Sequence, residues 1–155
     1  MALFLVQHGK SLPGDVGPDQ GLSPEGVADT ERIAGVARGY NVRVSIIRHS
    51  GKTRARQTAE IFASALLPVG GIEEAGGLKP LDDVVDAAVR IGGGDDVMLV
   101  GHLPFMEKLT SHLVTGSADR PIFSFQNSGI VCLDRNAVSR SWVIKWALMP
   151  KIGPG

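Results

Sequence analysis

The chain has 155 residues, 43% of them apolar and 21% charged, a balance that fits one globular domain with a single core between packed layers. Lys plus Arg and Asp plus Glu both number 16, so no global field favours nucleic acid or a membrane surface, and any anion must be held by locally placed cations. The single cysteine, Cys132, excludes an internal disulfide, and no run approaches the roughly 20 apolar residues of a membrane span.

Ala2 to Val6 is a short, continuous apolar run and reads as a strand buried on both faces, not as a signal peptide, so the expected setting is soluble and cytoplasmic. Gln7, His8, Gly9 and Lys10 follow, then a Gly/Pro/Asp-rich loop to about Leu22. Ser23, Pro24 and Glu25 spell a helix start, with Val27, Ile33, Ala34 and Ala37 on one face and Gly39 at the end. Val42 to Ile47 reads as a second strand and is followed by polar residues from Arg48 to Lys52. Ala55, Ala59, Phe62, Ala63 and Leu66 then mark a helix over 53–67. A short strand is expected over 72–75 and a helix from Leu81 to Ile91, ended by Gly92, Gly93 and Gly94. Val97 to Val100 is a third buried strand. Gly101, His102 and Leu103 lead to Pro104, which opens a helix to about Val114. Ser128 to Leu133 and Trp142 to Leu148 read as two strands joined by a polar turn, and residues 151–155 as a loose tail after a single domain over 1–150.

Strand, polar turn and helix thus occur three times, at His8, at Ser50 to Arg54 and at His102. Such alternation implies a largely parallel sheet with helices on both faces, and ligands of such sheets sit beyond the carboxyl ends of the strands. Two imidazoles and a guanidinium at one sheet edge suit a phosphoryl group. The arginine fork matches phosphate oxygens, a neutral imidazole can accept phosphorus, and transfer depends mainly on alignment and charge stabilisation.

Four pieces of the chain resemble the histidine phosphatase superfamily, which includes the phosphoglycerate mutases, and in particular its small SixA-type phosphohistidine phosphatases. Val6-Gln7-His8-Gly9 is similar to that family's Arg-His-Gly, and Leu22-Ser23-x-x-Gly26 to its Leu-Ser/Thr-x-x-Gly. Ser50-Gly51-Lys52-Thr53-Arg54-Ala55-Arg56-Gln57-Thr58-Ala59 resembles Ser-Pro-x-x-Arg-Ala-x-Gln-Thr-Ala, and Val100-Gly101-His102-Leu103-Pro104-Phe105 resembles Val-Gly-His-x-Pro-hydrophobic. Order and spacing agree along nearly the whole chain.

The resemblance implies a three-layer α/β/α sandwich around a mostly parallel six-stranded sheet, of the phosphoglycerate mutase-like type. His8 would be the nucleophile that forms a phosphohistidine. Arg54 and His102 would bind the phosphoryl oxygens, with Gln7, Gly9 and Lys10 also lining the substrate site. No cofactor or metal is implied. There is no room for the cap of mutase-like relatives, so a shallow site facing a phosphorylated protein is expected, such as a phosphohistidine-bearing signalling or phosphotransfer domain. A small phosphoester is the alternative, and the chain is expected as a monomer or weak homodimer.

Three features set this chain apart. Gln7 stands where the family has arginine. A neutral hydrogen bond is worth about 0.5–1.5 kcal/mol against about 1.5–3 for a charged one, so roughly tenfold weaker phosphate binding is expected unless Lys10 or Lys52 supplies the charge. His49 replaces a small residue and Gly51 a proline, which alters the local loop. No general acid stands out among Glu73, Glu74, Asp82 and Asp83, which favours a phosphoramidate substrate over an alkyl ester. Of the other candidates, His49 reads as a hydrogen-bonded loop residue and His112 as structural or exposed. Arg56 reads as a solvated charge, Cys132 as a small core residue, and Trp142 and Trp146 as packing on one face of a strand. A phosphate-binding relative with poor turnover is the rival reading that Gln7 motivates.

Overall fold

The apolar runs do become the buried strands expected of them, and the places where they start and stop are set by what each strand can pair with. In the computed structural model, which describes residues 2–14, 19–91 and 95–153, the elements are β1 (Ala2–Gln7), α1 (Pro24–Gly39), β2 (Ile46–His49), α2 (Thr53–Leu66) and β3 (Ile72–Glu74), followed by α3 (Val84–Ile91), β4 (Val97–Gly101), α4 (Phe105–Thr115), β5 (Ile130–Arg135) and β6 (Trp142–Leu148). The six strands form one sheet in the order β3-β2-β4-β1-β5-β6. β1 to β4 run parallel, β5 is antiparallel to β1, and β6 returns antiparallel to β5.

Two apolar cores fill the faces of the sheet. Phe4, Val6, Met98, Val100, Ile130 and Cys132 meet Ile33, Ala34 and Ala37 of α1 and Ala55, Ala59 and Phe62 of α2. On the other face Leu3, Leu5, Leu99, Val131 and Leu133 meet α3 and α4 through Val84, Ala87, Phe105, Met106 and Leu109. The result is the three-layer α/β/α arrangement. Among the described residues no helix is long and apolar enough to cross a membrane.

Ser23 caps α1 as its sequence suggests. Its Oγ accepts from the Gly26 N–H at 3.0 Å, and Pro24 occupies the first turn, where its missing N–H costs nothing. The buried face of α1 differs in detail from the expected one, because Gly26 and Thr30 are buried and Val27 only half-buried. Gly26 is required there: a Cβ would lie 2.2 Å from the Lys10 carbonyl oxygen, so the helix could not approach the loop after β1.

Four expectations shift. The second strand starts at Ile46, not Val42, because its neighbour β4 begins at Val97, opposite Ile46, and offers no partner to residues 42–44. It also extends through Arg48 and His49, which were expected in the loop. The third helix starts at Val84, not Leu81. Asp82 closes a turn by accepting the Lys79 N–H, and Asp83 caps the helix by accepting the Val85 N–H, each competing locally with helical bonding. The fifth strand begins at Ile130, after Ser128 takes a left-handed φ of +70°.

The fourth shift concerns the tryptophans. They lie on opposite faces of the sheet, not on one. Trp142 belongs to the α3/α4 core, whereas Trp146 packs on the α1/α2 side against Phe4, with ring centroids 6.0 Å apart. Cys132 pairs with Trp146 and Leu133 with Ile144, so Lys145 is an extra residue, and this bulge inverts the alternation between the two indoles. The fan of Gly92 to Gly94, expected to end α3, lies outside the described residues. At the end expected to be loose, Lys151 exchanges hydrogen bonds with Gln126 and meets Glu25 at 2.9 Å.

Candidate active site

Parallel pairing aligns the carboxyl ends of three strands. Gln7 pairs with Gly101 and His49 with Val100, so the residues that follow β1, β4 and β2 emerge side by side. The His8 N–H donates to the Gly101 carbonyl at 3.0 Å, continuing the ladder one residue past β1. His8 and His102, distant in sequence, come to lie with ring centroids 4.9 Å apart and ring planes inclined by 52°.

The tautomer of His8 follows from its neighbour. Its Nδ1 lies 2.6 Å from the Gly9 carbonyl oxygen. A carbonyl only accepts, so Nδ1 carries the proton and Nε2 keeps its lone pair. Burial lowers the His8 pKa to about 4, and the charges of Arg54 and Lys52 depress it further against the opposing pull of the Gly9 carbonyl. His8 is therefore neutral at pH 7. Its side chain retains partial exposure, whereas His102 and Arg54 are buried.

His102 is held by Ser50, whose Oγ lies 2.6 Å from Nε2, while Nδ1 has no hydrogen-bond partner among the described residues. Burial lowers its pKa to about 3, helped by His8, Arg54 and Lys52. Arg54 stands in the first turn of α2, 6% exposed, with burial lowering its own pKa. The edge thus presents two neutral imidazoles and a buried guanidinium whose charge bears on both.

The motif residues between these groups hold the scaffold. Thr58 Oγ1 donates to the Arg54 carbonyl at 2.7 Å and accepts the Gly9 N–H at 2.9 Å, tying the turn after β1 to α2. Gln57 Oε1 accepts the Leu22 N–H at 2.8 Å. Asn127 Nδ2 donates to the His8 carbonyl at 2.8 Å. Ser50, Thr58 and Asn127 were given no role by sequence reasoning. Ser50 and Thr58 lie within the motifs that resemble the histidine phosphatases, which was their signal. Asn127 had none.

The remaining candidates have the following surroundings. Gln7 and Lys10 line a cleft of about 510 Å³ together with Glu25, Leu103, Asn127 and Lys151, a lining that does not include His8, Arg54 or His102. Gln7 Oε1 is buried without a partner among the described residues. Lys10 pairs with Glu25 at 2.8 Å. Gly9 is buried against Thr30 and Leu22, where a Cβ would lie 2.8 Å from Thr30 Oγ1. Glu73 pairs with Arg48, Asp82 and Asp83 serve the turn before α3, and Glu74 lies against Gly51. His49 is buried at the end of β2, its Nδ1 accepting the Gly51 N–H at 3.1 Å, and burial lowers its pKa. Arg56 pairs with Glu60 on the helix exterior. The Cys132 thiol is 2% exposed, and burial pushes its pKa up to about 11, the opposite of a reactive thiolate. Among the described residues no three His, Cys, Asp or Glu side chains gather as a metal site.

No family model and no curated protein sequence matches the chain. Solved structures do. The SixA protein histidine phosphatase complexed with tungstate superposes with a TM-score of 0.84 over 97% of this chain and 97% of its own, at 24% identity. The chain has the histidine phosphatase fold. A protein from Agrobacterium tumefaciens described as a SixA phosphohistidine phosphatase superposes at 0.77, with 25% identity over 96% of this chain and 97% of that one. A mutant phosphoserine phosphatase of Entamoeba histolytica in complex with phosphoserine gives 0.70, with 14% identity over 97% and 98%. The fold shared with these structures covers 96–97% of this chain, with SixA proteins among its structural neighbours.

Proposed function

We propose that the chain is a phosphatase that takes a phosphoryl group onto Nε2 of His8 and passes it to water, with phosphohistidine in a protein as the substrate. The observation that carries this reading is the 2.6 Å contact of His8 Nδ1 with the Gly9 carbonyl, which leaves a neutral lone pair on Nε2 of a partly exposed residue beside His102. A nucleophile that needs no deprotonation at pH 7 is already activated.

In the first step Nε2 forms a bond to phosphorus as the bond from phosphorus to the leaving nitrogen breaks. That nitrogen belongs to an imidazole protonated on its other ring atom, so it departs neutral. In the second step water adds to phosphorus, the bond to Nε2 breaks, the water proton passes to solvent, and inorganic phosphate leaves. Arg54 and His102, buried beside His8, are the groups that would stabilise the charge moving through the peripheral oxygens. The route uses no metal.

The choice of a phosphoramidate rests on its leaving group: an imidazole leaves neutral without a strong acid, whereas an alkyl ester would need a proton at its leaving oxygen, and Glu73, Asp82 and Asp83 are committed to Arg48 and to the turn before α3. Support also comes from the SixA neighbours, of which one is a protein histidine phosphatase. Gln7 favours a second reading, a phosphate-binding protein with slow turnover, because it brings a neutral amide where a cation would bind more tightly.

Trapping the intermediate separates the two. Brief mixing with a labelled phosphoramidate should leave an adduct that is labile in acid and survives base, and that is lost in His8→Ala. An unlabelled parent protein that still binds phosphate selects the second reading.

A further inference from the structure

A phosphoryl group carries about −1.5 to −2 charges at pH 7. Both imidazoles at the site are neutral, so Arg54 alone cannot balance it. Two lysines lie close in sequence to the machinery, Lys10 after His8 and Lys52 before Arg54, and their surroundings differ.

Lys10 extends away along the 510 Å³ cleft. Its ammonium meets Glu25 Oε2 at 2.8 Å, and Lys151 takes Oε1 of the same carboxylate at 2.9 Å. Hydrogen bonds from the two lysines hold the Glu25 carboxyl down at about 2, so it stays charged wherever the protein works.

Lys52 is placed otherwise. Gly51 takes a φ of +93°, a conformation that no proline and few side chains adopt, and turns the chain between Ser50 and Lys52. Lys52 then becomes the N-cap of α2, two residues from Ser50, which holds His102, and two from Arg54. It lines a cavity of about 290 Å³ with Ser50, Gly51, Glu74 and Lys79, which touches the site through Ser50 and not through His8, Arg54 or His102 themselves, and its ammonium forms no hydrogen bond or ion pair among the described residues. Burial depresses both imidazoles most, followed for His102 by the charge of His8, then by Arg54 and last by Lys52, so the Lys52 charge reaches both rings.

We propose that Lys52 supplies the second positive charge for the phosphoryl group, reaching a peripheral oxygen from the start of α2. This rests on the phosphoryl site proposed above and adds a binding residue to it. The long unpaired stem gives the ammonium reach, and the Gly51 turn fixes where that reach begins.

The test uses tungstate as the phosphoryl mimic, with binding measured by calorimetry on the whole protein. Lys52→Gln should weaken tungstate about tenfold, the loss of one charged hydrogen bond. Lys52→Arg should recover most of that, and Lys10→Gln should change it less than about twofold, as for an exposed ion pair. In Gln7→Arg, a cation supplied from the other side should shrink the effect of Lys52→Gln. Histidine resonances give a second readout on the folded signals alone: with the fold intact by its urea midpoint, the His8 and His102 midpoints should rise in Lys52→Gln and return in Lys52→Arg. Tungstate binding that is absent in the parent, unchanged in Lys52→Gln or equally weakened in Lys10→Gln overturns the proposal. If His8 labels but tungstate ignores Lys52, the lysine assignment alone fails. If tungstate depends on Lys52 but His8 never labels, the phosphatase reading fails and the lysine assignment stands.

Discussion

The carboxyl ends of β1, β2 and β4 and the β5–β6 hairpin belong to one sheet, yet they bury opposite kinds of chemistry. At the first, His102, Arg54, Ser50 and Thr58 are all buried, and each hydrogen bond there orients another group. At the second, Ile130, Val131, Cys132, Leu133 and Trp142 fill the interior, and the polar groups of the turn stay exposed. Buried polar groups are costly unless satisfied, so the strand ends spend stability on geometry while the hairpin supplies it. Substitutions should therefore separate, with turnover lost only at the first region and folding free energy lost without turnover at the second.

The largest effect is expected from His8→Ala, which removes the attacking nitrogen and should lower kcat by on the order of 10³-fold or more, read as loss of both phosphate release and the base-stable adduct. A comparable effect on the other axis is expected from Trp142→Ala. Its indole is 6% exposed and carries the Arg135 guanidinium 5.1 Å from its centroid, so about 3–5 kcal/mol of stability should go in urea titration, while the folded fraction keeps the parent's kcat. If turnover per folded molecule fell with it, the two regions would not be separable.

Ser50→Ala should cost less. It leaves Nε2 of a buried imidazole without its partner, worth about 1–3 kcal/mol, and frees the ring to turn, so both stability and kcat/KM should fall. The matched change Ser141→Ala, at an exposed serine in the hairpin turn, should stay within about 0.5 kcal/mol.

Acid sharpens the contrast further. Folded His8 and His102 have pKa values near 4 and 3, below the 6.5 of an ordinary imidazole. Below pH 6.5 the unfolded chain binds protons that the fold refuses, so the stability present above that pH is lost as pH falls towards the folded values. Urea midpoints at pH 7, 5.5 and 4.5 should therefore decline, and His102→Asn should flatten the decline. A midpoint that holds or rises on acidification would show that the imidazoles are not kept neutral.

Much of this was legible in the sequence because the signals were local. Ser23-Pro24 placed α1, the apolar runs placed β1 and β4, and the polar turns after them placed His8 and His102 at one edge. What escaped depended on partners. The start of β2 is set by where β4 begins, which its own valines do not encode. Trp146 changed faces through a bulge at Lys145, and neither glycine nor proline marks it. Asp82 and Asp83 looked like candidate acids because composition does not distinguish a reacting carboxyl from one that closes a turn. Ser50 and Thr58 were visible only as members of a pattern, since their value lies in which atoms they meet.

The bulge at Lys145 reaches beyond the indoles. An outermost strand exposes unpaired amides that can recruit another chain, and proteins blunt such margins with charge, brevity or a bend. Here β6 is bent where a lysine intrudes, while the far margin, β3, offers only Ile72 and two glutamates. A foreign strand would find irregular spacing on one flank and only three residues to pair with on the other, so both borders of the sheet discourage fibrous stacking.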